Sequence, residues 1–104
     1  DYEITYTRGV PPVCNDATAT AVLTTAVTAT LGPDAVQPTD QSLGGEDFAW
    51  YLQKVPGSMA RLGVRPGKDA ADLHASGFDV DERCIGVGVR VLAETALEAL
   101  RVYS

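Results

Sequence analysis

Histidine is nearly absent from this sequence: His74 is the only one in 104 residues. The two cysteines, Cys14 and Cys84, stand far apart with no Cys-x-x-Cys spacing, so no self-contained zinc or dithiol motif is present. Each sits among apolar neighbours and reads as a buried free thiol of a reducing cytosol, with a disulfide or a metal ligand as the lesser alternatives. Basic residues are also scarce, 8 Lys and Arg against 14 Asp and Glu, for a net charge of -6. That deficit argues against nucleic acid, whose affinity comes from clustered cations releasing counterions, and against anionic membrane surfaces. No apolar run approaches the ~20 residues a membrane-spanning helix needs. No internal repeat or low-complexity tract is visible, and no Gly-Lys-Ser/Thr follows the paired glycines, which removes the phosphate-cradling loop.

What is present suits one globular domain. An apolar content of 45% with 21% charge is ordinary for a soluble fold and excludes a disordered tail. The opening Asp1-Tyr2-Glu3 has no Met, no basic stretch and no apolar stretch, so no secretory signal is expected there and the piece is expected to come from a larger chain.

The first segment alternates, with Tyr2, Ile4 and Tyr6 on one side and Glu3, Thr5 and Thr7 on the other, which predicts a strand with one wet face. Val10-Pro11-Pro12-Val13 then forms a stiff connector and a candidate domain boundary. Asn15 or Asp16 can cap a helix whose apolar positions Ala19, Val22, Leu23, Ala26, Val27 and Leu31 recur at helical spacing, and Gly32-Pro33 ends it. Its six threonines are weak helix formers, so packing must hold it. A short strand is expected at Ala35-Val36-Gln37.

Gly44-Gly45-Glu46-Asp47 leads into a brief helix that Val55-Pro56-Gly57 stops, and Ser58 to Val64 reads as a strand. Trp50 and Tyr51 are expected in the core. A loop follows to Asp72-Leu73-His74, with Asp79, Asp81 and Glu82 beyond it. Asp79 and Glu82 have the spacing of a capping box. Ile85, Val89, Leu92, Ala93, Ala96, Leu97 and Leu100 then give the strongest helical period in the chain, interrupted near its start by Gly86 and Gly88, which a close helix-to-sheet contact or a late start would explain. Strands alternating with helices predict an α/β layer fold.

Taken in order, Gly44-Gly45-Glu46-Asp47-Phe48, Pro56-Gly57, Leu62-Gly63, Leu73-His74, Phe78 and Asp81-Glu82 resemble the C-terminal end of the zinc-dependent amidohydrolases. These are the di-metal metallopeptidases that include hippurate hydrolase, the aminoacylases, the indole-acetyl-amino-acid hydrolases and carboxypeptidase G. Pro11-Pro12-Val13 and Asn15-Asp16 also look like the family's return from its lid into its catalytic domain. The resemblance implies a mixed sheet covered by helices, with residues 1–9 as the end of a lid or dimerisation domain and 10–104 as the C-terminal part of the catalytic metallohydrolase domain. It implies a cytoplasmic, homodimeric enzyme holding two divalent metal ions, zinc with manganese or cobalt as alternatives, and cleaving N-acyl amino acids or short peptides with a metal-activated water.

His74 matches that family's final metal-binding histidine, and neutral imidazole is a good zinc ligand. Gly44, Gly45, Glu46 and Asp47 are candidates for contacts with substrate or with the metal's ligands; alternatively Glu46 and Asp47 simply complement a helix start. The family's His-x-Asp or Cys-Gly-His-Asp motif and its Glu-Glu pair do not occur here. The catalytic base is therefore expected outside these residues, in an N-terminal part of the same protein, and the piece alone is expected to be inactive. The rival from another class is a free-standing acidic α/β domain that binds a partner or a small ligand without catalysis.

Overall fold

The computed structural model describes residues 1–104, and its regular structure is entirely helical. Helix α1 spans Ala17–Leu31, α2 spans Phe48–Leu52 and α3 spans Arg83–Tyr103, with one turn of 3-10 helix at Pro33–Ala35.

Of the two expected caps for α1, Asp16 does the capping: its Oδ1 accepts the N–H of Ala19 at 2.9 Å. Asn15 is left free for another partner. Gly32 closes the helix at φ 89, a left-handed value that a side chain would disfavour, and its N–H returns to the carbonyl of Thr28. Thr20 and Thr30 turn their hydroxyls back onto the carbonyls of Asp16 and Ala26, satisfying themselves within the helix. Val22 and Ala26 are buried, and Ala19, Leu23, Val27 and Leu31 are half-buried.

Helix α3 packs along α1. Its half-buried side carries Cys84, Val87, Gly88, Val91, Thr95 and Ala99, while the expected stripe from Ile85 to Leu100 is exposed, with Ile85, Val89 and Leu100 at 62–65%. At Gly88 the Leu62 methyl would lie 3.4 Å from an added Cβ, so the close contact expected for this glycine exists, though with an irregular segment rather than a sheet. Gly86 meets nothing, and the helix does not start late. The expected Asp79–Glu82 capping box does not form. Asp79 bonds the N–H of its own neighbour Val80, and Asp81 starts the helix instead, its Oδ1 accepting the N–H of Arg83 at 3.0 Å and its carbonyl that of Cys84.

The segments expected as strands, 1–7, 35–37 and 58–64, exchange no backbone hydrogen bonds with one another. A strand is defined by a bonded neighbour, so alternation alone leaves them irregular. Ala35 is instead taken into the 3-10 turn. The segment 58–64 is nonetheless well anchored. Asn15 bonds both the N–H and the carbonyl of Met59, the Thr20 and Ser58 hydroxyls meet at 3.0 Å, and Arg61 reaches Thr39 Oγ1 and the carbonyl of Asp40.

Only 4 of the 104 residues are buried, and the radius of gyration is 17.1 Å. A compact domain of this length would have about 13 Å. The accessible surface, 8601 Å², exceeds by about 3,000 Å² what a folded chain of 10.9 kDa normally exposes.

Candidate functional site

The loop between Val64 and α3 is pinned at both ends. Arg65 pairs with Asp72, and the N–H of Asp81 bonds the carbonyl of Val64 at 2.8 Å. Between these anchors two tight turns follow in succession, closed by Ala75 N–H to Asp72 and Phe78 N–H to Ala75. His74 sits in the first. At φ 71 it is the only non-glycine residue with a left-handed backbone, and its side chain is exposed. Such a conformation costs free energy in an L-residue, and strained backbone of this kind gathers at functional positions. The turn thus presents the imidazole outward on a loop whose two ends are fixed.

The carboxylates around His74 are largely engaged elsewhere. Asp72 is held by Arg65, Asp79 by the N–H of Val80, and Asp81 by Arg83, whose Nε lies 2.8 and 2.9 Å from the two carboxylate oxygens. The hydrogen bonds from Arg83 hold the Asp81 carboxyl down to about 2, and the same pairing raises the pKa of Arg83. No group of three or more His, Cys, Asp and Glu side chains converges to hold a metal ion. These residues therefore supply one imidazole donor and do not complete a metal site among themselves.

Gly44 to Asp47 form a separate exposed turn before α2. The N–H of Gly44 donates to Ser42 Oγ at 3.1 Å, and Gly45 lies so close to Val10 that an added Cβ would stand 3.3 Å from its methyl. This contact fastens the turn to the connector at Val10–Val13. Glu46 Oε1 accepts the N–H of Phe48 at 3.2 Å, while Asp47 precedes α2 without a side-chain bond to it. No hydrogen bond joins this turn to the His74 loop. Trp50 and Tyr51, expected in the core, are 50% and 67% exposed because α2 buries only its Ala49 side. Cys14, expected buried, is exposed, and both thiols are free.

The largest cavity lies away from both loops. It is an apolar groove of about 830 Å³ between α1, α3 and residues 58–63, with Val22, Leu23, Val27, Met59, Val91 and Leu92 among its walls. No helix is long and apolar enough to cross a membrane. Sequence reasoning named Asn15 and Asp81 but not their roles, Asn15 holding Met59 and Asp81 starting α3 while tied to Val64. The Asn-Asp pair before α1 was the available signal for the first, since only one of the two can cap.

Against known proteins, the model of peptidase family M20/M25/M40 matches residues 1–98. The chain is 54% identical over 99 residues to a Rhodococcus jostii protein with a provisional glutamate–cysteine ligase 2-3 name, covering 93% of this chain but 12% of that protein. It is 44% identical over 98 residues to a Synechocystis hydrolase, sll0100, covering 91% of this chain and 25% of the relative. With the N-acetyl-L-cysteine deacetylase of Bacillus subtilis it shares 37% over 93 residues, 88% of this chain and 21% of that enzyme. The chain thus spans a quarter or less of the length of these curated relatives. No solved structure matches it.

Proposed function

The chain belongs to peptidase family M20/M25/M40, and from that premise we propose that it is the C-terminal part of a metal-dependent amidohydrolase cleaving N-acyl amino acids or short peptides. Relatives named as a hydrolase and as an N-acetyl-L-cysteine deacetylase support the reaction class. The ligase name supports no ligase reading here, because the matched segment is 12% of that protein.

The observation that carries the site assignment is His74, exposed, left-handed and held on a turn fixed at both ends. In this reading His74 gives one neutral imidazole to a site whose other ligands and general base come from the rest of the longer protein. The bound metal, zinc with manganese or cobalt as alternatives, supplies activation of the attacking water. Gly44, Gly45, Glu46 and Asp47 contact substrate or the metal's ligands, on a turn that Val10 and Ser42 hold in place. Residues 1–9 end a lid or dimerisation domain, 10–104 close the catalytic domain, and the segments read as strands join a mixed sheet completed by the rest of the chain. The intact enzyme is then a cytoplasmic homodimer, and these 104 residues alone are inactive.

Replacing His74 by Ala in the full-length protein tests this. The expected result is loss of at least one metal ion by emission spectroscopy and loss of hydrolysis of N-acetyl amino acids, with an unchanged circular dichroism spectrum. Full metal content and a near-normal rate overturn the assignment.

A further inference from the structure

Helix α2 buries Ala49 completely and Phe48 and Leu52 in part, yet leaves its two largest side chains, Trp50 and Tyr51, turned to the outside. It continues directly from the Gly44–Asp47 turn. The N–H of Ala49 donates to the carbonyl of Glu46 and that of Trp50 to the carbonyl of Asp47, each at 3.0 Å. Asp47 already has helical backbone, at φ -64 and ψ -23, so Trp50 and Tyr51 follow it at the three- and four-residue spacing that places side chains on one face. Phe48 backs Tyr51, their ring centroids 6.3 Å apart and their planes tilted by 32°. The outer face of α2 is thus an aromatic pair standing one helical turn from the Glu46 and Asp47 carboxylates.

We infer that Trp50, with Tyr51 beside it, is the contact for the substrate's acyl group, so that an aromatic acyl group is held there more strongly than acetyl. This rests on the reading of the chain as part of an amidohydrolase whose substrate meets the Gly44–Asp47 turn. Charge fixes which end of the substrate faces the rings. An N-acyl amino acid carries a carboxylate at one end and an uncharged acyl group at the other, and Glu46 and Asp47, exposed and without an ion-pair partner, repel the first. Lys54, beyond the end of α2, lines a separate concavity with Cys14, Leu52 and Gly57 and so does not draw the carboxylate over the rings. The same two carboxylates disfavour a further layer of protein here, because covering them without a partner is costly. A small acyl group can touch the rings and leave them wet. A flat aryl group gains an offset-stacked contact with the indole that a methyl group does not make.

The test compares kcat/KM for the N-benzoyl and N-acetyl derivatives of one amino acid, in the full-length wild type and in Trp50→Ala. The ratio of the two values does not depend on how much of a variant is folded. Expected is a fall of roughly 10-fold in the benzoyl-to-acetyl ratio, the scale on which an apolar contact discriminates between substrates. Trp50→Leu, which keeps apolar bulk without the ring, carries the same comparison if the alanine variant does not fold. An unchanged ratio in the folded variant overturns the inference and makes the rest of the chain the cover of Trp50. The outcome is separable from the functional reading. An unchanged ratio in a protein that hydrolyses both derivatives refutes only the acyl contact, whereas a wild-type protein that hydrolyses neither refutes the function and this inference with it.

Discussion

The carboxamide of Asn15 holds the backbone of Met59 at both of its polar groups, donating from Nδ2 to the carbonyl at 2.9 Å and accepting the N–H on Oδ1 at 3.0 Å. The side chain thereby imitates a neighbouring strand at one residue. Adjacent to it, the N–H of Asp16 bonds the carbonyl of Gly57 at 2.9 Å. Together these bonds fix the start of α1 to the segment that walls the groove.

Asn15→Ala deletes both bonds and should cost about 1–2 kcal/mol, the net worth of two partly exposed hydrogen bonds. Asn15→Asp keeps the acceptor, loses the donor and sets a second carboxylate beside Asp16, so it should recover little. Urea denaturation followed by circular dichroism measures both. An unchanged midpoint in the alanine variant would mean that water replaces Asn15 at no loss.

A second prediction concerns acid. The Asp81 carboxyl titrates at about 2 in the folded chain, against about 3.9 for an unfolded aspartate. A depressed folded value means stability that is present above the unfolded pKa and is lost as pH falls through the folded one. The pair with Arg83 should therefore loosen between about pH 4 and 2, freeing the first turn of α3. Carbon-detected NMR of the Asp81 carboxyl should give its midpoint near 2, and Asp81→Asn should remove the stability change in that window. An Asp81 midpoint near 4 would show that the ion pair is not kept in solution.

His74 separates two costs that one substitution would merge. If its left-handed backbone is held by the surrounding turns, His74→Gly relieves strain that His74→Ala retains, and the glycine variant should be the more stable by about 1 kcal/mol. Both variants lose the imidazole, so both should lose metal equally in the full-length protein. Calorimetric melting gives the first comparison and metal analysis the second. A glycine variant that binds metal like the wild type would remove His74 from the site.

How far the sequence could be read depended on where each residue's partner lies. The ends of α1 were legible at Asp16 and Gly32, because caps act within a few residues. His74 and the Gly44–Asp47 turn stood out as residue types, yet their isolation from one another appears only in three dimensions. Two helix-start carboxylates were on offer before α3, and sequence spacing favoured Asp79. The choice fell to Asp81, which is also tied through its own N–H to Val64, a contact between residues distant in sequence. The strands could not be confirmed from alternation, since Tyr2, Ile4 and Tyr6 at 80–90% exposure have no neighbouring chain against which to form one. Likewise the strongest helical period belongs to the outward side of α3. Hydrophobic spacing reports that a face will be covered, not which segment covers it.

That outward face supports a last prediction. Ile85, Val89, Ala96 and Leu100 share one side of α3, away from the half-buried Cys84, Val91, Thr95 and Ala99, while Arg83, Arg90, Glu94 and Arg101 take up a third side. A helix with two apolar sides is built to lie between two layers, and here one of them is missing. Exposed apolar patches of this kind drive association, at about 25 cal/mol for each Å² removed from water. The 104-residue chain should therefore self-associate at micromolar concentration, and light scattering should report a mass above one chain of 10.9 kDa. Val89→Glu with Leu100→Glu, at positions 63% and 65% exposed, should lower that mass toward the monomer without changing helix content. Asn15→Ala, whose bonds go to Met59 and not to this face, should not. A monomeric wild-type chain with a single cooperative melt would show that these residues form a complete domain and that α3 needs no second layer.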